Sequence, residues 1–178
     1  MKKILFVGSS IFEGWKNAID LIPDCIAANR AVGGTKTADW VRLLPDIIVS
    51  ETPDAILYYC GSNDLSYDIP KERILDNVRD FRMIMCKKAP FARLAYFGII
   101  KSPQKTGKWD VIDTLNKNIS SMLQEGDLYL DPNEVFFHAG APVARFYIED
   151  GLHMTDEAYL RLSDYAAPII NGWLNEEE

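Results

Sequence analysis

Three short apolar runs with almost no polar interruption constrain this chain more than any other feature of its sequence. They span residues 3–7, 55–60 and 94–100; a glycine follows each of the first two, and the third contains one. Such runs are typical of parallel strands that are buried on both faces of a sheet. Weaker strand candidates lie at residues 25–30 and 127–130. The sequence therefore predicts a mostly parallel sheet of about five strands.

Stretches in which apolar residues recur at helical spacing separate these runs. They cover residues 71–87, 110–123 and 155–174, and Thr155 can cap the first turn of the last stretch. Pro168 lies inside that stretch, and we expect it to kink or divide the helix. Strands that alternate with helices imply right-handed β-α-β units, which build a three-layer α/β/α sandwich.

The length and charge of the chain limit its organisation and its partners. Its 178 residues suffice for one sizeable core and are too few for two, so we expect a single domain over residues 1–178. The net charge of -7 argues against nucleic acid as a partner, because binding to its backbone needs clustered Lys and Arg. No apolar stretch approaches the roughly 18 residues that span a bilayer. The final Asn-Glu-Glu-Glu is expected to be a solvated tail.

The amino terminus and the cysteines indicate a compartment. The first apolar run stops at Gly8, which makes it too short for the core of a secretory signal, and no small-residue cleavage site follows it. The three cysteines, Cys25, Cys60 and Cys86, are odd in number and lack the spacing of metal ligands. We therefore expect reduced, buried thiols in a cytoplasmic protein without a metal site.

Four segments carry the candidate chemistry, and three of them directly follow a predicted strand. They are residues 8–11, 29–35, 61–64 and 150–153. Each alone has a structural alternative: a serine can cap a helix, paired glycines can form a turn, Asn-Asp can form an Asx turn, and a histidine can be a packed or surface residue. Together they offer what acyl transfer needs, namely a nucleophile, a base, a group that orients the base, and donors for an oxyanion.

The four segments resemble, in order, the sequence blocks of the SGNH (GDSL-like) hydrolase superfamily. Residues 8–11 are similar to the superfamily's Gly-Asp-Ser block, which implies that Ser10 is the nucleophile. Residues 61–64 resemble its Gly-x-Asn-Asp block. The resemblance implies an oxyanion hole formed by the backbone N–H of Ser10, the backbone N–H of Gly34 and the side-chain amide of Asn63.

Residues 150–153 resemble the superfamily's Asp-x-x-His block. This implies that His153 is the general base and that Asp150 orients it. One departure concerns Ser9, which stands where the superfamily usually has aspartate, so the local support of the nucleophile loop is an open question. His138, the only other histidine, has no nearby aspartate on a matching loop, and we expect it to be structural or to lie at a pocket rim.

The resemblance implies a flavodoxin-like fold similar to that of small single-domain esterases related to platelet-activating-factor acetylhydrolase catalytic subunits. It further implies a serine hydrolase that cleaves carboxylic esters, with a short acyl group expected, through a Ser-His-Asp triad and an acyl-enzyme. The reaction would need no metal and no organic cofactor. The expected partner is a small-molecule ester, and the sequence leaves open whether the chain forms a homo-oligomer.

One alternative interpretation remains, and another is set aside. An α/β-hydrolase expects a Gly-x-Ser-x-Gly elbow, which residues 8–12 do not form. A non-catalytic, flavodoxin-like module could bind a small molecule or a nucleotide, with the loop after the first strand around a phosphate. That interpretation leaves Asp150 and His153 without a role. The basic loop at residues 101–108 is either a mobile substrate loop or simply solvated.

Overall fold

The central element of the computed structural model is a parallel sheet of five strands in the order β2-β1-β3-β4-β5. The structure describes residues 1–176, so the last two residues of the expected solvated tail, Glu177 and Glu178, lie outside the described residues. The strands are β1 (Lys3–Gly8), β2 (Ile26–Asn29), β3 (Ala55–Tyr59), β4 (Arg93–Phe97) and β5 (Leu128–Leu130). This sheet and the helices on both of its faces confirm the flavodoxin-like α/β/α sandwich that the sequence predicts.

Helices follow the strands and cover the sheet. They are α1 (Ser10–Glu13), α2 (Thr37–Glu51), α3 (Ser62–Ser66), α4 (Lys71–Lys88), α5 (Trp109–Met122), α6 (Asn133–Phe136) and α7 (Asp156–Asn175). Short 3-10 turns occupy Ala18–Leu21, Pro103–Lys105 and Ala144–Phe146, and an antiparallel pair of strands, β6 (Phe137–His138) and β7 (Ala141–Pro142), precedes the last of these turns.

The alternation of side chains along the strands divides the core between the two faces. In β1, Ile4 and Phe6 pack with residues of α1 and α7, whereas Leu5 and Val7 pack with residues of α2 and α4. Because helices cover both faces, every residue of β3 is buried, which explains its unbroken apolar run. The edge strand β2 is only partly buried, and its sequence signal is correspondingly weaker.

Two helices differ from what the sequence indicates. The sequence did not predict helix α2, because Pro45 lies inside it. Trp40, Leu44 and Ile48 are nevertheless spaced four residues apart and face the core. Helix α7 is not divided at Pro168, so that alternative is wrong. Proline removes one backbone hydrogen bond there, but the buried side chains on both sides of it keep the helix packed on the sheet.

The three thiols are free, and they differ in burial. Cys60 is buried, as expected, and Cys25 is half-buried. The expectation is wrong for Cys86, which is exposed on the outer face of α4 next to Arg82. None of the helices within residues 1–176 has both the length and the apolarity to cross a membrane.

Candidate active site

The end of β1 forms a sharp turn that only glycine permits. Gly8 has a φ of 140°, and a Cβ on it would lie 2.0 Å from the carbonyl oxygen of Tyr59 on the neighbouring strand. The same carbonyl accepts a hydrogen bond of 3.0 Å from the backbone N–H of Ser9. Helix α1 then begins at Ser10, so the serine side chain stands at the carboxyl edge of the sheet.

At this edge Ser10, His153 and Asp150 form one chain of hydrogen bonds. Ser10 Oγ lies 3.0 Å from His153 Nε2, and His153 Nδ1 lies 2.5 Å from Asp150 Oδ2. The other carboxylate oxygen, Oδ1, accepts bonds of 2.9 Å from the backbone N–H groups of Leu152 and His153. The structure thus brings together the three residues that the sequence assigns to a triad.

The environment of Asp150 keeps its carboxylate ionised. The hydrogen bond from the His153 side chain is the main cause that lowers the pKa of Asp150 to about 2, and the Leu152 N–H adds to it. A negative charge next to Nδ1 favours the imidazole tautomer that carries its proton there. Nε2 is then free to accept a proton from the Ser10 hydroxyl.

The loop that carries His153 is fixed by its own backbone and by a neighbouring turn. The Ile148 N–H donates to the carbonyl of His153 at 3.0 Å, and the Gly151 N–H donates to the carbonyl of Ile148 at 2.9 Å. The carbonyl of Gly151 in turn accepts a bond of 2.9 Å from the N–H of Gln104, in the 3-10 turn after β4. Backbone hydrogen bonds therefore fix the position of His153.

The turn after β2 lies against the end of β1. The Val32 N–H and the Thr35 hydroxyl both donate to the carbonyl of Gly8, at 2.8 and 3.2 Å. Gly34, between them, has a φ of 77°, and a Cβ on it would meet no atom within 4 Å. Glycine is therefore favoured here by the left-handed backbone and not by crowding.

Three donors of the expected oxyanion hole lie at this edge. Within residues 1–176, the backbone N–H groups of Ser10 and Gly34 have no hydrogen-bond acceptor. Asn63, in α3, donates one amide hydrogen to the carbonyl of Thr35 at 2.9 Å, which fixes the orientation of its side chain. An amide nitrogen carries two hydrogens, so the second is available to a ligand.

A buried network that the sequence did not reveal holds α2 against α3. The carboxylate of Asp64 is 1% exposed and accepts bonds of 3.0 Å from the Thr37 N–H and 2.5 Å from the Thr37 hydroxyl. Asn77 donates to the same hydroxyl at 2.9 Å. Burial raises the pKa of Asp64, and the Thr37 bonds offset this only in part. In the sequence, the only sign of this network is Asp64 itself, the second residue of the Asn63-Asp64 pair. Its partner Thr37 lies 27 positions away.

The turn that carries Ser10 is supported by residues other than Ser9. The Ser9 side chain caps no N–H of α1. Instead, the Asn29 amide donates to the carbonyl of Phe12 at 2.7 Å, and the Tyr159 hydroxyl donates to the carbonyl of Ile11 at 2.9 Å. The end of β2 and the first part of α7 therefore hold α1 in place.

His138 is not part of this arrangement. It is exposed on β6, where it lines a shallow surface depression together with Arg145 and Arg161. His153 is the histidine that contacts Ser10. Across the described residues, no group of three or more His, Cys, Asp or Glu side chains could hold a metal ion.

Comparison with known proteins agrees with this architecture. An arylesterase of Vibrio mimicus is 23% identical over 93% of this chain and 86% of its own. A GDSL-like lipase from Bacteroides thetaiotaomicron superimposes with a TM-score of 0.81 at 16% identity, over 96% of this chain and 88% of its own. For a psychrotrophic esterase from Pseudoalteromonas sp., the TM-score is 0.77 at 17% identity, over 99% and 100% of the two chains. At such identities the superpositions establish the fold.

Family membership rests on a match to the sequence profile of a whole family. The profile of the GDSL-like Lipase/Acylhydrolase family matches residues 6–161, which include all five residues expected to form the site. This chain therefore belongs to the GDSL-like lipase/acylhydrolase family of SGNH hydrolases, and it is a hydrolase that acts on esters.

Proposed function

We propose that the protein is a serine hydrolase that cleaves short-acyl carboxylic esters through an acyl-enzyme on Ser10. The observation that carries the proposal is the continuous hydrogen-bond chain from the Ser10 hydroxyl through His153 to Asp150. Such a chain lets a weak nucleophile lose its proton as it attacks.

In the first half of the reaction, Ser10 Oγ attacks the ester carbonyl while His153 Nε2 accepts the hydroxyl proton. Asp150 stabilises the imidazolium that forms. The N–H groups of Ser10 and Gly34 and the Asn63 amide donate to the developing oxyanion. His153 then gives its proton to the leaving alcohol, and the acyl group stays on Ser10.

In the second half, His153 removes a proton from water, and the hydroxide attacks the acyl-enzyme. The same donors stabilise the second oxyanion. The proton then returns to Ser10 Oγ as the acid leaves. No step of this sequence requires an organic cofactor or a metal.

The openness of the site supports a short acyl group. The side chains of His153 and Asp150 are 43% and 39% exposed, which suits a shallow site better than a long enclosed acyl tunnel. The arylesterase from Vibrio mimicus agrees with a substrate whose alcohol is aromatic. We expect acetyl and butyryl esters to be cleaved faster than decanoyl esters of the same alcohol.

The test combines a fluorophosphonate probe, which labels activated serines, with hydrolysis of chromogenic esters. The wild-type protein is expected to be labelled and active, and Ser10→Ala to lose both properties while keeping its circular dichroism spectrum. The loss of activity should be on the order of a millionfold. Ser9→Ala is the matched control, and it should retain labelling because the Ser9 side chain caps nothing.

Two results would contradict the proposal. Labelling of Ser10→Ala but not of Ser9→Ala would make Ser9 the nucleophile. A wild-type protein that is neither labelled nor active on any ester would favour the non-catalytic binding module.

A further inference from the structure

The basic loop after β4 is not simply solvated. Its 3-10 turn Pro103–Lys105 lies next to the loop of the catalytic histidine, through the bond from the Gln104 N–H to the carbonyl of Gly151. Ser102 is 1% exposed, and Lys105 is 3% exposed. A lysine is almost never buried this far unless it has a partner of opposite charge.

Lys105 has no such partner within the part of the chain that the structure describes. Its Nζ donates to two neutral oxygens, Ser66 Oγ at 2.7 Å and Gln104 Oε1 at 2.6 Å. An ammonium group has three hydrogens, so one remains for a further acceptor. Burial, and next the positive charge of Lys108, lower the pKa of Lys105. The surroundings of this group therefore lack an anion.

The other two lysines of the loop differ in this respect. Lys101 pairs with Asp113 at 2.9 Å, and Lys108 pairs with Asp68 at 2.5 Å. A buried charge without a partner is unfavourable, and an anion that pairs with it removes much of that penalty.

Lys105 also lines a cleft at the catalytic edge of the sheet. One wall of the cleft is α3, which begins one residue before Asn63, and the other is the turn that contacts Gly151. The cleft has a volume of about 370 Å³. Its lining consists of Leu65, Ser66, Gln104, Lys105, Thr106 and Lys108. No carboxylate side chain is among these lining residues, although the whole chain has a net charge of -7.

We propose that this cleft is a subsite for an anionic group of the ester substrate, whose carboxylate or phosphate pairs with the Lys105 ammonium. The inference rests on the proposed esterase function, because it assigns the anion to the same molecule that reacts at Ser10. The preferred substrates are then esters that carry a negative charge at some distance from the scissile bond.

The first experiment measures selectivity. Chromogenic half-esters of succinate, glutarate and adipate are compared with neutral acyl esters of equal length, and a second set carries the carboxylate or a phosphate on the alcohol. The wild-type protein should prefer an anionic member of at least one pair. In Lys105→Met the ratio of kcat/KM for anionic over neutral esters should fall about 10- to 100-fold, the equivalent of one charge-assisted hydrogen bond. Lys101→Met, in the same loop, should keep the ratio, and so should Lys105→Arg.

The second experiment separates this inference from the proposed function. Calorimetry on Ser10→Ala measures binding of an anionic ester and its neutral counterpart without turnover. Tighter binding of the anionic ester, lost in Ser10→Ala combined with Lys105→Met, supports the subsite even if no hydrolysis is found. Competition by inorganic phosphate but not by acetate would identify phosphate as the preferred group, and the reverse would identify carboxylate.

The inference is overturned if the wild-type protein prefers the neutral member of every pair, a result that needs no variant to fold. It is equally overturned if Lys105→Met is folded and keeps the wild-type ratio.

Discussion

Asp64 and Asp150 lie at the same edge of the sheet, but their environments shift their pKa values in opposite directions. Asp64 is almost completely buried, and burial raises its pKa despite the bonds from Thr37. Asp150 is 39% exposed, and the hydrogen bond from His153 lowers its pKa to about 2. As the pH falls from neutrality, Asp64 therefore takes up its proton before Asp150 does.

The difference distinguishes a carboxylate with a structural role, Asp64, from a carboxylate next to the proposed proton transfer, Asp150. Asp64 receives its bonds from a threonine that never changes charge, so it fixes the position of the turn next to Asn63. Asp150 is bonded to His153, the side chain that becomes positively charged in the proposed reaction. Because solvent surrounds the Asp150 carboxylate, the folded protein does not incur the free-energy cost of desolvating a permanent charge.

Asp150→Asn is expected to have the largest effect on activity among the substitutions that test this comparison. The amide keeps the shape of the side chain but favours the wrong imidazole tautomer, and kcat should fall about 10,000-fold. Because the side chain is exposed, the melting temperature should hardly change. Ester hydrolysis and thermal unfolding are measured on the same preparation, with Asp156→Asn as the control. A loss of less than tenfold would remove Asp150 from the triad.

Asn63→Ala tests the contribution of the Asn63 side-chain amide to the proposed oxyanion hole. It removes one oxyanion donor, and kcat should fall on the order of 100- to 1000-fold with little change in KM. The measurement is steady-state kinetics on an acetyl ester. An increase in KM at constant kcat would mean that Asn63 binds the ground state instead of the oxyanion.

Asp64→Ala should affect stability more than the chemical step. The change leaves the Thr37 N–H and hydroxyl buried without their acceptor, which should lower the free energy of unfolding by about 1–3 kcal/mol. The melting temperature should fall by roughly 2–4 °C for each kcal/mol of stability that is lost. Urea unfolding and kinetics are compared with Asp64→Asn, which should lose less. A folded Asp64→Ala protein as inactive as Asp150→Asn would place Asp64 in the chemistry.

The dependence of kcat/KM on pH gives the most gradual effect. Only neutral imidazole accepts a proton, so kcat/KM should rise with pH, by at most about tenfold for each pH unit. With a pKa of about 2, Asp150 stays ionised from pH 5 to 8 and adds no inflection of its own in that range. A flat profile, with chemistry shown to be rate-limiting, would contradict the role of His153.

Local patterns predicted the parts of the fold that are governed by local rules. The runs that became β1, β3 and β4 are buried on both faces, so their sequences contain almost no polar residue. Helix α2 was not predicted because it contains Pro45. The sequence does not reveal that the packing of Trp40 and Leu44 outweighs the one hydrogen bond that proline removes.

The geometry of the candidate site was predictable where both partners lie in one short segment, as for the hydrogen-bonded side chains of Asp150 and His153. It was not predictable where partners come from distant segments. Thr37, Asp64 and Asn77 contact one another only once α2, α3 and α4 have packed. Lys105 lies in a loop whose composition indicates exposure, and only the tertiary structure buries it.

The hydrogen bond between Ser10 and His153 joins residues that are 143 positions apart. A ribosome that makes this chain produces the proposed nucleophile first, the proposed oxyanion donors next and the proposed base last. A nascent or proteolytically shortened chain that ends before His153 lacks the proposed base. Under the proposed mechanism, the order of the segments delays ester hydrolysis until nearly the whole sandwich has been synthesised.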